Sequence, residues 1–240
     1  MNSKRTASIF KDSSKVSYVL AKSLENGSKV LIVDGLDGWH VFPFVSYGHY
    51  VETYEPEKIF VDGGVVADSN GQVIIHGLRQ RVSDYEAKRK VTYHLLNFYE
   101  QDEVNKYDLV HVYKSLHREC HKEIPMEKKI RKLQDAVSDD GEIYIYYHLA
   151  INDEDYLTYP KNQYLRTNEM MSYFDLSEWD IVMTRERNKL RRDDGHYGHP
   201  KPHLHRIGYV HAKRKAKKCL KKVSDDHEYH FFIKVGKTYF

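Results

Sequence analysis

An α/β fold with a mostly parallel sheet is what the sequence predicts, on three observations. Short apolar runs of strand composition alternate with segments whose apolar residues recur at helical spacing. The first such unit, Lys29 to Pro56, reads KVLIVDGLDGWHVFPFVSYGHYVETYEP: an apolar run, a Gly/Asp loop, a helical segment and a second run closing on Glu55. Further strand-like runs follow at Val91–Leu96, Tyr107–Tyr113 and Glu142–His148, as an α/β topology requires.

The first unit carries the chemistry. A glycine-containing loop between a strand and a helix lets the backbone approach a ligand closely, and an acid about twenty residues on accepts hydrogen bonds from a ribose diol. Glu55, closing Val51-Glu52-Thr53-Tyr54-Glu55, stands at that position.

The frame resembles the first half of a class I S-adenosylmethionine-dependent methyltransferase, with Gly38 opening the helix, Gly48 at its end and Glu55 at the tip of the second strand. In that family the loop reads roughly acid-x-Gly-x-Gly-x-Gly. With Gly38 as the last glycine, Ile32, Asp34 and Leu36 stand where the acid and the first two glycines are expected. A shifted alignment puts Asp34 on the acid and Gly38 on the second glycine, but spoils the spacing to Gly48 and Glu55. The resemblance implies a Rossmann-like methyltransferase fold, mostly parallel with an antiparallel last strand and an inserted β-hairpin. It also implies S-adenosylmethionine as cofactor, with Asp34, Gly35, Leu36 and Gly38 in the loop and Glu55 on the ribose.

The remaining elements come in order. Asp12-Ser13-Ser14 offers a helix N-cap, and Val16, Val19, Leu20 and Leu24 share a helical face before Asn26-Gly27 closes the turn. Between Phe60 and Arg81, Val65-Val66 and Val73-Ile74-Ile75 flank Asp68-Ser69-Asn70-Gly71, which predicts a hairpin outside the core sheet. After Val91–Leu96, Asn97 and Phe98 are the nearest matches to the family's position near the adenine; the alternative is that Phe98 is only a core residue. Tyr107–Tyr113 resembles the fourth strand, and its tip, Lys114-Ser115-Leu116-His117, faces the expected reaction centre. A helix from Ile124 to about Val137 ends on Asp139-Asp140-Gly141 before the fifth strand, Glu142–His148. Trp179–Arg185 reads as the sixth strand, Arg191–Arg206 as a turn-rich loop and Ile207–Lys213 as the final strand. The closing pair resembles the end of small methyltransferases of the tellurite-resistance type.

Methyl transfer asks mainly for positioning, and for a general base only when the acceptor is protonated. His117 and His148, at the tips of the fourth and fifth strands, are the candidates for base or substrate contact; the alternative is ordinary hydrogen-bonded histidines. Lys114, His205 and Arg206 are candidates to grip an anionic substrate. His196, His199, His203 and His205 crowd together, but their spacing lacks a metal-binding pattern and a metal site is not favoured.

Length and composition set the bounds. At 240 residues, with 40% hydrophobic and 30% charged residues, one ordinary domain is expected. It is read as a methyltransferase-like domain over residues 1–213, the hairpin at about 60–81, and a basic extension over 214–240. Net charge is only +3, yet His211–Lys222 holds a lysine-rich cluster suited to an acidic partner or to phosphates, or simply to solvation. Two cysteines exclude a disulfide framework, and no apolar run reaches membrane-spanning length, so a soluble cytoplasmic protein is expected. The leading function is methyl transfer to a small molecule or nucleic acid. The alternatives are a catalytically inactive methyltransferase-like binding or regulatory protein, and a protein that binds S-adenosylmethionine without turnover.

Overall fold

The structure is a computed structural model that describes residues 5–6, 14–68, 71–102, 106–153, 155, 164–193 and 203–216. The chain runs β1 (Arg5–Thr6), α1 (Ser14–Ser23), β2 (Lys29–Val33), α2 (Val41–Ser46), β3 (Tyr50–Tyr54), α3 (Lys58–Asp62), β4 (Gly64–Asp68) and β5 (Gly71–Ile75). It continues with α4 (Leu78–Asp84), β6 (Val91–His94), β7 (Tyr107–Tyr113), α5 (Met126–Ala136), β8 (Val137–Leu149), α6 (Thr167–Ser172), β9 (Trp179–Asp193) and β10 (His203–Arg214).

Seven strands form the main sheet in the order β6-β3-β2-β7-β8-β10-β9. The first five are mutually parallel, and β10 lies antiparallel between β8 and β9. The centre of the sheet is buried on both faces, which is why β2 reads as an unbroken apolar run rather than an alternating one. Its residues still divide with the pleat. Leu31 and Val33 join Val110, Val112, Ile143 and Ile145 under Ile130 and Leu133 of α5. Val30 and Ile32 join Leu109 under α1, α2 and α4, through Leu20, Val41, Phe44 and Leu78.

The expected hairpin is β4–β5, and it forms a separate three-stranded sheet with β1 pairing parallel to β5. Two boundaries differ from expectation. Strand β8 begins at Val137, directly after α5, so Asp139-Asp140-Gly141 is an irregularity within a strand, with Asp140 at φ 64° and a register shift against β7. The last hairpin is longer than the sequence suggests, because Arg191 and Arg192 pair with His205 and Leu204. Arg191 and Arg192 are polar and exposed and Leu204 is exposed too, so the segment gives no apolar alternation to read. Residues 217–240, with most of the basic extension, lie outside the described residues, as do His196 and His199.

A buried polar group ties α1 to the sheet. Ser17 Oγ lies 2.8 Å from His40 Nδ1 and 3.2 Å from His111 Nε2, so the hydroxyl donates to one imidazole and accepts from the other. Burial pushes both histidines down, His111 to about 3. The unfolded chain therefore takes up protons below pH 6.5 that the folded chain refuses, so this stability is present above pH 6.5 and lost as the pH falls. The contribution of His111 is isolated by His111→Phe: the slope of unfolding free energy against pH between 6 and 4 falls by about 1.4 kcal/mol per unit in urea titrations. An unchanged slope contradicts a neutral buried His111.

Candidate functional site

The chain leaves β2 for β3 and β6 on one side and returns to β7 on the other, which makes the carboxyl ends of β2 and β7 the switch point of the sheet. The loop after β2 keeps an unusual backbone. Asp34 and Leu36, where the family resemblance expects glycines, sit at φ 57° and 50°, and Gly38 sits at φ 96°. A left-handed conformation costs a non-glycine residue about 1–3 kcal/mol, so neighbours must hold it in place. Gly35 has no room for a side chain because Thr53 of β3 stands against it.

Glu55 is the centre of those neighbours. It is fully buried, and its carboxylate accepts four hydrogen bonds. Oε2 accepts from Leu36 N (3.0 Å) and Arg118 Nη1 (2.9 Å), and Oε1 accepts from Glu57 N (2.9 Å) and Arg118 Nη2 (2.8 Å). Those four bonds use the whole acceptor capacity of a carboxylate. Arg118 also reaches Asp34 Oδ2 (3.3 Å) and Glu57, and its guanidinium lies 5.5 Å from the centre of the Phe60 ring. Asp34 Oδ2 is 2.8 Å from His121 Nε2. Burial pushes the Asp34 carboxyl up, but Arg118 and His121 outweigh it and hold it below its usual value. Burial likewise pushes Glu55 up, to about 7, with Arg118 pulling it down.

Arg118 is delivered by the segment after β7, where two 3-10 turns, Ser115–His117 and Glu119–His121, meet at Arg118. The buried Lys129 of α5 donates to Leu116 O (2.6 Å) and His121 O (3.3 Å), and Tyr99 Oη is 2.8 Å from Ser115 Oγ. Sequence reading did not single out Arg118, His121, Glu57 or Lys129. Only the basic and acidic residues clustered beyond the fourth and second strands hinted at them.

The histidines at the neighbouring strand tips come together. His117 and His148 stack with ring centres 4.1 Å apart and planes 4° from parallel, and His148 stacks on His205 at 4.8 Å. His117 Nε2 accepts from His148 N at 2.6 Å, which places the imidazole proton of neutral His117 on Nδ1. Arg206 pairs with Asp155, and Lys114 adopts φ 58° with its Nζ 5.8 Å from the Tyr113 ring centre. Asn97 caps the turn after β6, accepting from Tyr99 N at 3.1 Å. Phe98 is 1% exposed and packs edge-on against Tyr54 and Tyr99, a core position rather than an open stacking surface.

The backbone frame fits an adenosyl cofactor: a tight loop at the switch point, and an acid at the tip of the next strand. The side chains fit it only with Arg118 withdrawn, since Glu55 has no acceptor left for a diol. Two clefts of about 380 and 460 Å³ lie elsewhere, one along Arg131, Gln134 and Trp179 and one along Ala150, Arg166 and Glu186, and neither includes the loop or Glu55.

No protein-family model matches the sequence, and no curated protein matches it. Solved structures do match. TehB from Haemophilus influenzae aligns with a TM-score of 0.58 at 12% identity over 84% of this chain, which spans 62% of TehB. The Burkholderia thailandensis 1,6-didemethyltoxoflavin-N1-methyltransferase, solved with its substrate and S-adenosylhomocysteine, aligns at 0.56 and 12% identity, over 88% of this chain and 82% of that one. The fold is that of the class I methyltransferases. A third similar structure is the [4+2]-cyclase SpnF, at 0.61 and 10% identity, over 88% of this chain and 84% of that one. Among the described residues no helix is long and apolar enough to cross a membrane.

The segment bearing Arg118 depends on Lys129. Lys129→Met leaves the carbonyls of Leu116 and His121 without that donor, at a cost of about 1–3 kcal/mol. Amide exchange over residues 115–121 is expected to accelerate by at least tenfold in native-state exchange. Unchanged exchange contradicts the pinning role.

Proposed function

We propose that this chain is an S-adenosylmethionine-dependent methyltransferase acting on a small molecule, with Glu55 as the acid that holds the cofactor's ribose. The observation that carries the reading is the placement of Glu55 at the tip of β3, bonded to Leu36 N of the switch-point loop. S-adenosylmethionine, when bound, supplies an electrophilic methyl group on a sulfonium. The chain's own residues position and shield. The loop Asp34-Gly35-Leu36 with Gly38 presents its backbone, Arg118 withdraws to free Glu55, and His148 at the adjacent strand tip faces the acceptor as base or contact, with His117, its Nε2 taken by His148 N, as a contact alone. Lys114 is the cationic candidate on the acceptor side for an anionic substrate, since His205 is buried and Arg206 is held by Asp155.

The small-molecule acceptor rests on the toxoflavin enzyme, whose substrate is a small molecule; a nucleic-acid acceptor and an acidic partner for the basic tail have no comparable support. A second reading, a catalytically inactive binding module, is favoured by one specific observation, the saturation of Glu55 by internal donors. The two are separated by incubating the protein with methyl-labelled S-adenosylmethionine and a fractionated low-mass metabolite pool. The enzyme reading expects label in a low-mass product, with at least a tenfold loss in Glu55→Gln. Label that never leaves the cofactor, across all fractions, supports the inactive module.

A further inference from the structure

We propose that Arg118 is an internal ligand of the cofactor site, competing with the ribose diol for Glu55 and thereby setting how tightly the chain binds an adenosyl cofactor. The proposal deepens the methyltransferase reading and rests on it.

Three observations carry it. A guanidinium edge and a vicinal diol offer a carboxylate the same pattern, two donors side by side, and Arg118 presents that pattern to Glu55 at 2.9 and 2.8 Å. The two remaining acceptor positions are held by backbone N–H groups of Leu36 and Glu57, which belong to the frame itself. Arg118, which supplies the other two of the four donors, is therefore the removable partner. Its position crosses the switch-point crevice, from the segment after β7 to the tips of β2 and β3, so the guanidinium stands where the diol is expected.

Release of Arg118 is mechanically simple. The residue sits between two 3-10 turns in an extended conformation (φ −67°, ψ 142°), so its side chain turns without unwinding a helix. Its side chain is 14% exposed, and a second partner, Glu57, lies at the rim with its own side chain one third exposed. Leu36, Phe60 and Ile75 form a small apolar cluster beside the loop, which keeps the closed arrangement dry. A cofactor has to break a bidentate ion pair to enter, so the wild-type chain binds weakly and a chain with a poorer internal ligand binds more tightly.

The test is calorimetric titration of the whole chain with S-adenosylhomocysteine, comparing wild type, Arg118→Gln, Arg118→Lys and Glu55→Gln, each checked for folding by circular dichroism. Arg118→Lys keeps a positive charge beside Asp34 and Glu55 but loses the planar fork, so it guards against a glutamine variant that fails to fold. The expected result is at least about tenfold tighter binding for Arg118→Gln, and about threefold or more for Arg118→Lys, with binding lost in Glu55→Gln. Equal affinity of the wild type and both Arg118 variants, with Glu55 still required, overturns the competition while leaving the cofactor reading intact. Absence of heat in every folded variant at millimolar ligand overturns both.

Discussion

The bidentate pair between Arg118 and Glu55 is the interaction on which the rest of the site depends. Two buried carboxylates, Asp34 and Glu55, stand at adjacent strand tips, and neither is tolerable there without a positive partner. One guanidinium serves both and reaches Glu57 as well. It thereby joins the end of β3 to those of β2 and β7, the two strands that define the switch point. Removing a partner from such a buried pair costs about 3–5 kcal/mol in typical cases, so the same contact that closes the site also stabilises the domain.

The loop after β2 shows the same economy. Its left-handed turns at Asp34 and Leu36 persist without glycine because the chain has tied each residue down. Asp34 is held by His121 and Arg118, and Leu36 by its own N–H on Glu55 and by its side chain against Phe60 and Ile75. The backbone path is a tight, left-handed one at the switch point, and its side chains are engaged with one another. Fold alone does not decide the activity, since one architecture serves a methyltransferase and, in SpnF, a [4+2]-cyclase.

Much of the fold was legible because it rests on local signals. The apolar run of β2, the acid after β3 and the Asp-Ser-Asn-Gly turn between β4 and β5 each announce their element within a few residues. The place of Glu55 at the end of β3 was legible by its distance from the loop, and those of His117 and His148 as strand ends, whereas His205 was read only as part of the His-rich segment before the last strand; the structure stacks these three rings together. Arg118 was not legible. It lies 63 residues from Glu55, in a segment with no helical or strand period, and its role exists only once three strand tips converge. The length of the last hairpin was hidden for a different reason: Arg191, Arg192 and Leu204 are exposed, so cross-strand pairing and not burial keeps them in strands.

The proposed competition between Arg118 and an adenosyl cofactor for Glu55 can be seen directly. The most direct measurement is a crystal structure of the chain grown with millimolar S-adenosylhomocysteine. The expected result is a ribose diol on the Glu55 carboxylate, Leu36 N still bonded to it, and the Arg118 guanidinium turned out toward Glu57. A well-ordered structure with Arg118 still bidentate on Glu55 and no ligand at the switch point contradicts it.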